Sequence, residues 1–146
     1  MEESIGINGR LDWVLFDEHG IKKESGTTNQ IQTDHKRIIA MRMSAATAVA
    51  TYTHMWVGTG ALGGVGVTDV TTPVAGGRQA ITSSTPGAST VVVVATLAAG
   101  VGTGTLTCAG MFNTNTALVG MMCGATIAVT KAAGDSLTLT WTVTFS

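Results

Sequence analysis

The last eleven residues, Ser136 to Ser146, alternate without a break: Leu137, Leu139, Trp141, Val143 and Phe145 fall on one side, Ser and Thr on the other. In an extended chain successive side chains point to opposite faces, whereas a helix turns every ~3.6 residues and would scatter both sets around its circumference. The segment is therefore a strand. One face must be core, and the Thr-lined face is either solvated or pressed against a flat partner.

The rest of the chain is punctuated to match. Leu11 to Phe16 and Ile21 to Glu24 flank Asp17-Glu18-His19-Gly20, where the glycine can take the positive φ that closes a tight turn, so a hairpin is expected. Thr27 to Gln32 reads as polar and irregular. A helix is expected over about 34–46: Thr33 can cap it, Asp34 favours its positive end, and Ile38, Met41 and Ala45 recur at helical spacing. Val49 to Val57 alternates loosely, and Gly58 to Gly77 is loop-like, with Pro73 and seven glycines punctuating it. Strands are expected over Arg78 to Ser83 and Ser89 to Leu97, separated by Thr85-Pro86-Gly87, then over Thr103 to Phe112, Ala117 to Cys123 and Ala125 to Thr130, with a turn at Ala133-Gly134-Asp135. Many β-branched strands and one short helix predict a mainly β fold, an antiparallel β-sandwich or small β-barrel; the 25 threonines suit half-exposed strands.

Charge is distributed unevenly. Of 17 charged residues, 13 lie between Glu2 and Arg42, and the last 68 residues hold only Lys131 and Asp135. A soluble monomer normally spreads both signs over its surface, so a body this poor in charge points to a chain packed against copies of itself or a larger assembly. The basic residues are not clustered and the formal net charge is −1, which argues against nucleic acid as a partner. Val91 to Val101, the longest apolar run, is shorter than the ~18–20 residues a membrane helix needs, and Met1-Glu2-Glu3 opens no signal peptide.

Motifs for chemistry are weak. Gly58-Thr59-Gly60-Ala61-Leu62-Gly63 spells G-x-G-x-x-G, but the residues that follow are poor helix formers, and a pyrophosphate site needs a helix N-terminus there. His19, His35 and His54 lack ligand spacing, and Cys108 and Cys123 read as small buried side chains on neighbouring strands, so no metal or cofactor is expected. Acids and bases do not converge, and the expectation is a protein that is not an enzyme. Trp56, on a strand with Tyr52 and His54, leaves open an aromatic platform for a glycan.

The order of segments carries a resemblance. Trp56-Val57-Gly58-Thr59-Gly60, Thr105 to Asn113 and Asp135 to Phe145 are similar to the "GTG" loop, the "TLTEAGIFN"-like strand and the terminal "DSLTLTWTVTF"-like strand of small virion structural proteins of tailed bacteriophages. Cys108 stands where that pattern carries an acid. The resemblance spans Ile7 to Ser146 and implies a capsid decoration (cement) protein that stabilises the mature shell as a homo-oligomer, dimer or trimer, its partners being the major capsid protein lattice and itself. A tail, baseplate or fibre-associated subunit bound to tail proteins is the alternative, a host- or glycan-binding module a more distant one. The implied location is the virion, assembled in the host cytoplasm. On this reading residues 1–33 form an N-terminal arm and 34–146 the β domain. Contact candidates are Arg10, Trp13, Phe16 and Lys22 in the arm, and Trp56 in the body, because interface anchors favour Trp and Arg. Removing the first ~25 residues is expected to leave the β domain folded.

Overall fold

The computed structural model of the chain describes residues 6–29, 31–33, 52–62, 72–112 and 121–146. These form ten strands: β1 Ile7–Phe16, β2 Lys22–Thr28, β3 Ile31–Thr33, β4 His54–Gly58, β5 Pro73–Ala80, β6 Ser83–Pro86, β7 Thr90–Leu97, β8 Gly104–Phe112, β9 Met121–Lys131 and β10 Ser136–Phe145. They make two antiparallel sheets, the first in the order β2-β1-β10-β7-β6 and the second β3-β9-β8-β4-β5. The sheets are separate layers, which removes the closed barrel from the two expected architectures. The helix expected over 34–46 lies outside the described residues.

The alternating segment becomes β10 and takes the middle of the first sheet, paired with β1 from Ser136 to Phe145 and with β7 from Leu137 to Thr144. Only a central position gives a ten-residue strand partners on both sides. Its apolar set, Leu137, Leu139, Trp141 and Val143, joins Leu11, Trp13 and Leu15 of β1 and Val93, Ala95 and Leu97 of β7 in one core. The second sheet contributes Met55, Val57, Leu106, Ala109, Met111, Ile127 and Val129 to the same core.

The expected hairpin is present, and its turn is built as its residues require. Asp17 Oδ1 accepts hydrogen bonds from the backbone N–H of His19 and Ile21, and Gly20 takes φ 75°. The hairpin is nevertheless no free arm. β1 is hydrogen-bonded along its whole length to β10, and Leu11, Trp13 and Leu15 are buried at 0, 6 and 1% exposure. The boundary drawn after residue 33 therefore does not follow the layers: β1 and β2 belong to one sheet with β10, and β3 to the other with β9. Arg10 and Asp12 mark the outer face of β1; the buried face lies at the alternate positions.

Two segments switch layers. β2 leads through Asn29 into β3, and β5 leads through Ile81 and Thr82 into β6, so both long sides of the molecule are turned by the chain passing from one sheet to the other. The stretch Thr27 to Gln32, expected to be irregular, thus holds the end of β2 and the first two residues of β3, and Thr33, expected as a helix cap, is the last residue of β3. β9 runs unbroken where two strands were expected, because Gly124 is paired on both sides, with Gln32 and Gly110, and interrupts neither ladder. The pairings nest: β1 with β10, β3 with β9, β4 with β8, and the hairpin β6–β7 innermost.

Candidate interaction surfaces

The registers place side chains in rows on the outer face of the first sheet. One row runs Arg10, Thr142, Val92, Thr85; the next Asp12, Thr140, Val94, Ser83; the next Val14, Thr138, Thr96. Thr138, Thr140, Thr142 and Thr144 are the polar half of the alternating segment, now a hydroxyl ladder down the centre of the sheet and half-buried among its neighbours. The charges on these rows cancel, since Arg10 donates to Asp12 Oδ1 from Nε at 2.9 Å and from an Nη at 2.8 Å. Thr27 Oγ1 donates to the same oxygen. Burial alone would raise the Asp12 pKa, but the Thr27 hydrogen bond and the Arg10 guanidinium hold it below the ordinary value. The five strands, ~4.8 Å apart and running from about 13 Å for β6 to about 33 Å for β1 and β10, offer on the order of 600 Å², close to one partner's share of a standard protein interface.

The edges of the sheets are less suited to open-ended pairing. β2 carries Lys22, Lys23 and Glu24, β6 is four residues long and ends on Pro86, and β5 starts on Pro73 and takes φ 66° at Gly76. Charge, proline, short length and irregular backbone each discourage strand-to-strand aggregation.

Lys131 and Asp135, the charges of the last 68 residues, both turn inward, at 1 and 4% exposure. Lys23 Nζ contacts both carboxylate oxygens of Asp135 at 3.0 and 2.8 Å, and the Ala132 N–H donates to Oδ2 at 2.9 Å. Lys131 Nζ donates to the Ala98 carbonyl at 2.9 Å. Burial lowers the Lys131 pKa, and the Asp135 charge partly offsets that. The network ties the start of β2 and the turns after β7 and β9 into one end of the molecule. Its consequence for the surface is that residues 79–146 expose no charged side chain.

Trp56, considered as a platform for a glycan, is fully buried on the outer side of the second sheet. It stacks on Phe112 with ring centroids 4.0 Å apart and planes 18° apart, and the Arg78 guanidinium covers its other side 4.0 Å from the ring centroid. Cys108 and Leu62 complete this second cluster. A ring enclosed this way cannot stack on a sugar. Cys123 is buried in the main core on the neighbouring strand, where burial pushes its thiol pKa well up and leaves it unreactive.

The five contact candidates therefore separate. Trp13 is core and Trp56 is enclosed, on opposite sheets. Arg10 and Phe16 share the outer face of β1, about 20 Å apart at six residues of strand rise, and Lys22 pairs with Phe16 at its far end. Sequence reasoning missed the outward valines that flank the threonines, Val14 on β1 and Val92 and Val94 on β7. The period-two pattern of β1 and β7 contained them, but which apolar set faces outward depends on register.

Among the described residues no three or more His, Cys, Asp or Glu side chains are grouped to hold a metal ion, and no helix is long and apolar enough to cross a membrane. The fold and surfaces define an antiparallel two-layer β protein with a neutral, hydroxyl-rich face. Comparison with protein-family models, curated proteins and solved structures returned no match.

Proposed function

We propose that this chain is a non-enzymatic structural protein of a tailed-bacteriophage virion, a β-sandwich that decorates the mature capsid and stabilises it as a homo-oligomer. The observation that carries the reading is the surface of residues 79–146, which exposes no charged side chain because Lys131 and Asp135 are both folded inward. A charge-free surface of Thr, Ser, Val and Ala has little to keep it apart from a neighbouring protein, and burying it strands no unpaired ion. The outer face of the first sheet has interface dimensions: β10, β7 and β6 bring to it part of that charge-free surface, and the charges that β1 adds there, Arg10 and Asp12, pair with each other. The likeness of the "GTG", Thr105–Asn113 and Asp135–Phe145 segments to phage virion proteins supplies the partner, a capsid lattice.

A protein that binds the mature shell and not its precursor shifts the shell equilibrium toward the mature state by mass action. The expected result is that purified protein binds expanded capsids lacking it and raises their disruption temperature, read by light scattering during heating. Replacing Thr140 and Val94 together by lysine, on the centre of the face, should abolish binding while leaving the melting temperature of the isolated protein within a few degrees. Binding to tails and not to capsids would replace decoration with a tail-associated role, and binding to neither would overturn the virion reading.

A further inference from the structure

Among the described residues, the first sheet has an opening that its neighbours do not fill. β2 is paired with β1 only as far as Leu11 opposite Thr28, while β1 continues to Ile7. Beyond that point β2 turns away toward the second sheet and leaves a groove of about 320 Å³, bounded by Ile7, Asn8, Gly9 and Arg10 on one side and by Asn29 on the other. From this edge the groove continues onto the outer face of the sheet, where Thr142 and Thr144 of β10, opposite Arg10 and Asn8, form its floor.

The direction of the backbone in this groove follows from the ladder. Gly6 and Ser146 exchange both N–H to carbonyl bonds, which makes them a hydrogen-bonded pair. In an antiparallel ladder such pairs alternate, so Asn8 and Arg10 bond toward β10 while Ile7 and Gly9 direct their N–H and C=O groups the other way. At Leu11 and Trp13 those outward groups meet β2. At Ile7 and Gly9 no strand among the described residues meets them, and the groups face the groove.

Arg10 stands at the same place with capacity to spare. A guanidinium has five N–H donors, and the bonds to Asp12 use Nε and one Nη. The other Nη is available, on a side chain that is 59% exposed.

We infer that this groove is a strand-addition site for an extended peptide segment of a partner protein bearing an acidic side chain. The guest continues the line that β2 abandons, exchanging main-chain hydrogen bonds with Ile7 and Gly9, while its carboxylate takes the remaining donors of Arg10 and its polar groups reach Asn8 and Asn29. The free edge is about four residues long, which limits the guest to a short segment and explains how the site escapes the blunting seen on β2 and β6. The inference rests on the edge geometry and is independent of the virion assignment.

The test uses the full chain and two synthetic peptides, acetyl-Thr-Val-Glu-Val-Thr-amide and its Glu→Gln counterpart. Amide NMR shifts and hydrogen exchange are followed as peptide is added to millimolar concentration. The Glu peptide is expected to shift the Ile7 and Gly9 amides and slow their exchange, and the Gln peptide to bind at least threefold more weakly. Arg10→Gln should erase that difference. Gly9→Pro removes one N–H that points into the groove and none that bonds to β10, so it should abolish binding while the protein keeps its fold. Undisturbed Ile7 and Gly9 amides in the wild-type protein, or equal binding of the two peptides, would overturn the proposal even if Gly9→Pro fails to fold. Protection of those amides that rises with protein concentration and needs no peptide would also overturn it, by assigning the edge to a second copy of this chain.

Discussion

Trp13 and Gly26 work as one unit. They are paired across β1 and β2, and a Cβ on residue 26 would lie 2.5 Å from the Trp13 Cζ2 and 2.7 Å from Nε1. The indole covers the glycine, which lets an edge strand without apolar side chains of its own close over the core. Gly26→Ala must displace a buried ring and should cost about 1–3 kcal/mol in urea unfolding, the range for overpacking. Asp135 sets the acid limit. Its carboxyl is held below the usual carboxylate range, first by the Lys23 hydrogen bond, then by the Ala132 N–H, against the opposing effect of burial. A group whose folded pKa is depressed contributes fully above its unfolded value of about 3.9 and loses that contribution as pH falls through the folded value. The wild-type protein should therefore lose stability below about pH 4. Asp135→Asn should start less stable at neutral pH and lose less over the acid range, as unfolding curves at several pH values would register.

β1 is the element on which the expectations changed most. It was expected to lead a dispensable arm, and it is a core strand with a full ladder to β10 and three buried side chains. Leu11→Ala, at a fully buried position, should cost about 2–5 kcal/mol. Deleting residues through Phe16 should abolish cooperative thermal unfolding by circular dichroism, because β10 would then become a long exposed edge. The hairpin turn, the alternating strand, β7 and β8 were legible from composition, since Gly and Asp at turns and β-branched residues between them act locally. The layer switches between β2 and β3 and at 81–82 were not: the first has the polar composition of a loop, and the second fell inside one expected strand, Arg78 to Ser83, whose composition does not say where it changes sheet.

For the whole molecule, nested pairing brings the two ends of the described chain together, with Gly6 and Ser146 hydrogen-bonded to each other. Such a topology must close its longest loops to complete its outermost pair, and folding on the millisecond-to-second scale is expected, as for other β proteins of high contact order. The same closeness predicts that a permutant joining Ser146 to Gly6 through an Asn-Gly turn, and opened between the exposed Gly87 and Ala88, folds with the native tryptophan emission and a cooperative melt. The surface is also a property of the whole. Charge gathers at the β1–β2 end, where Asp17, Glu18, Lys22, Lys23 and Glu24 lie together in the hairpin; beyond it the described body adds the Arg10–Asp12 pair and Arg78, and hydroxyls and small aliphatic groups cover most of the rest.

The alternation of residues 136–146 was enough by itself to establish a strand, its two faces and the need for a covering layer, because strand periodicity is a local consequence of backbone geometry. The near-absence of charge after residue 78 was likewise plain in the chain. Which partners β10 takes, whether Trp13 and Trp56 face water or protein, and that Lys131 and Asp135 vanish from the surface were decided only by the tertiary structure. Each depends on which distant segments the ladders bring into contact, and a ladder between residues 7 and 145 leaves no trace in the local pattern of either strand.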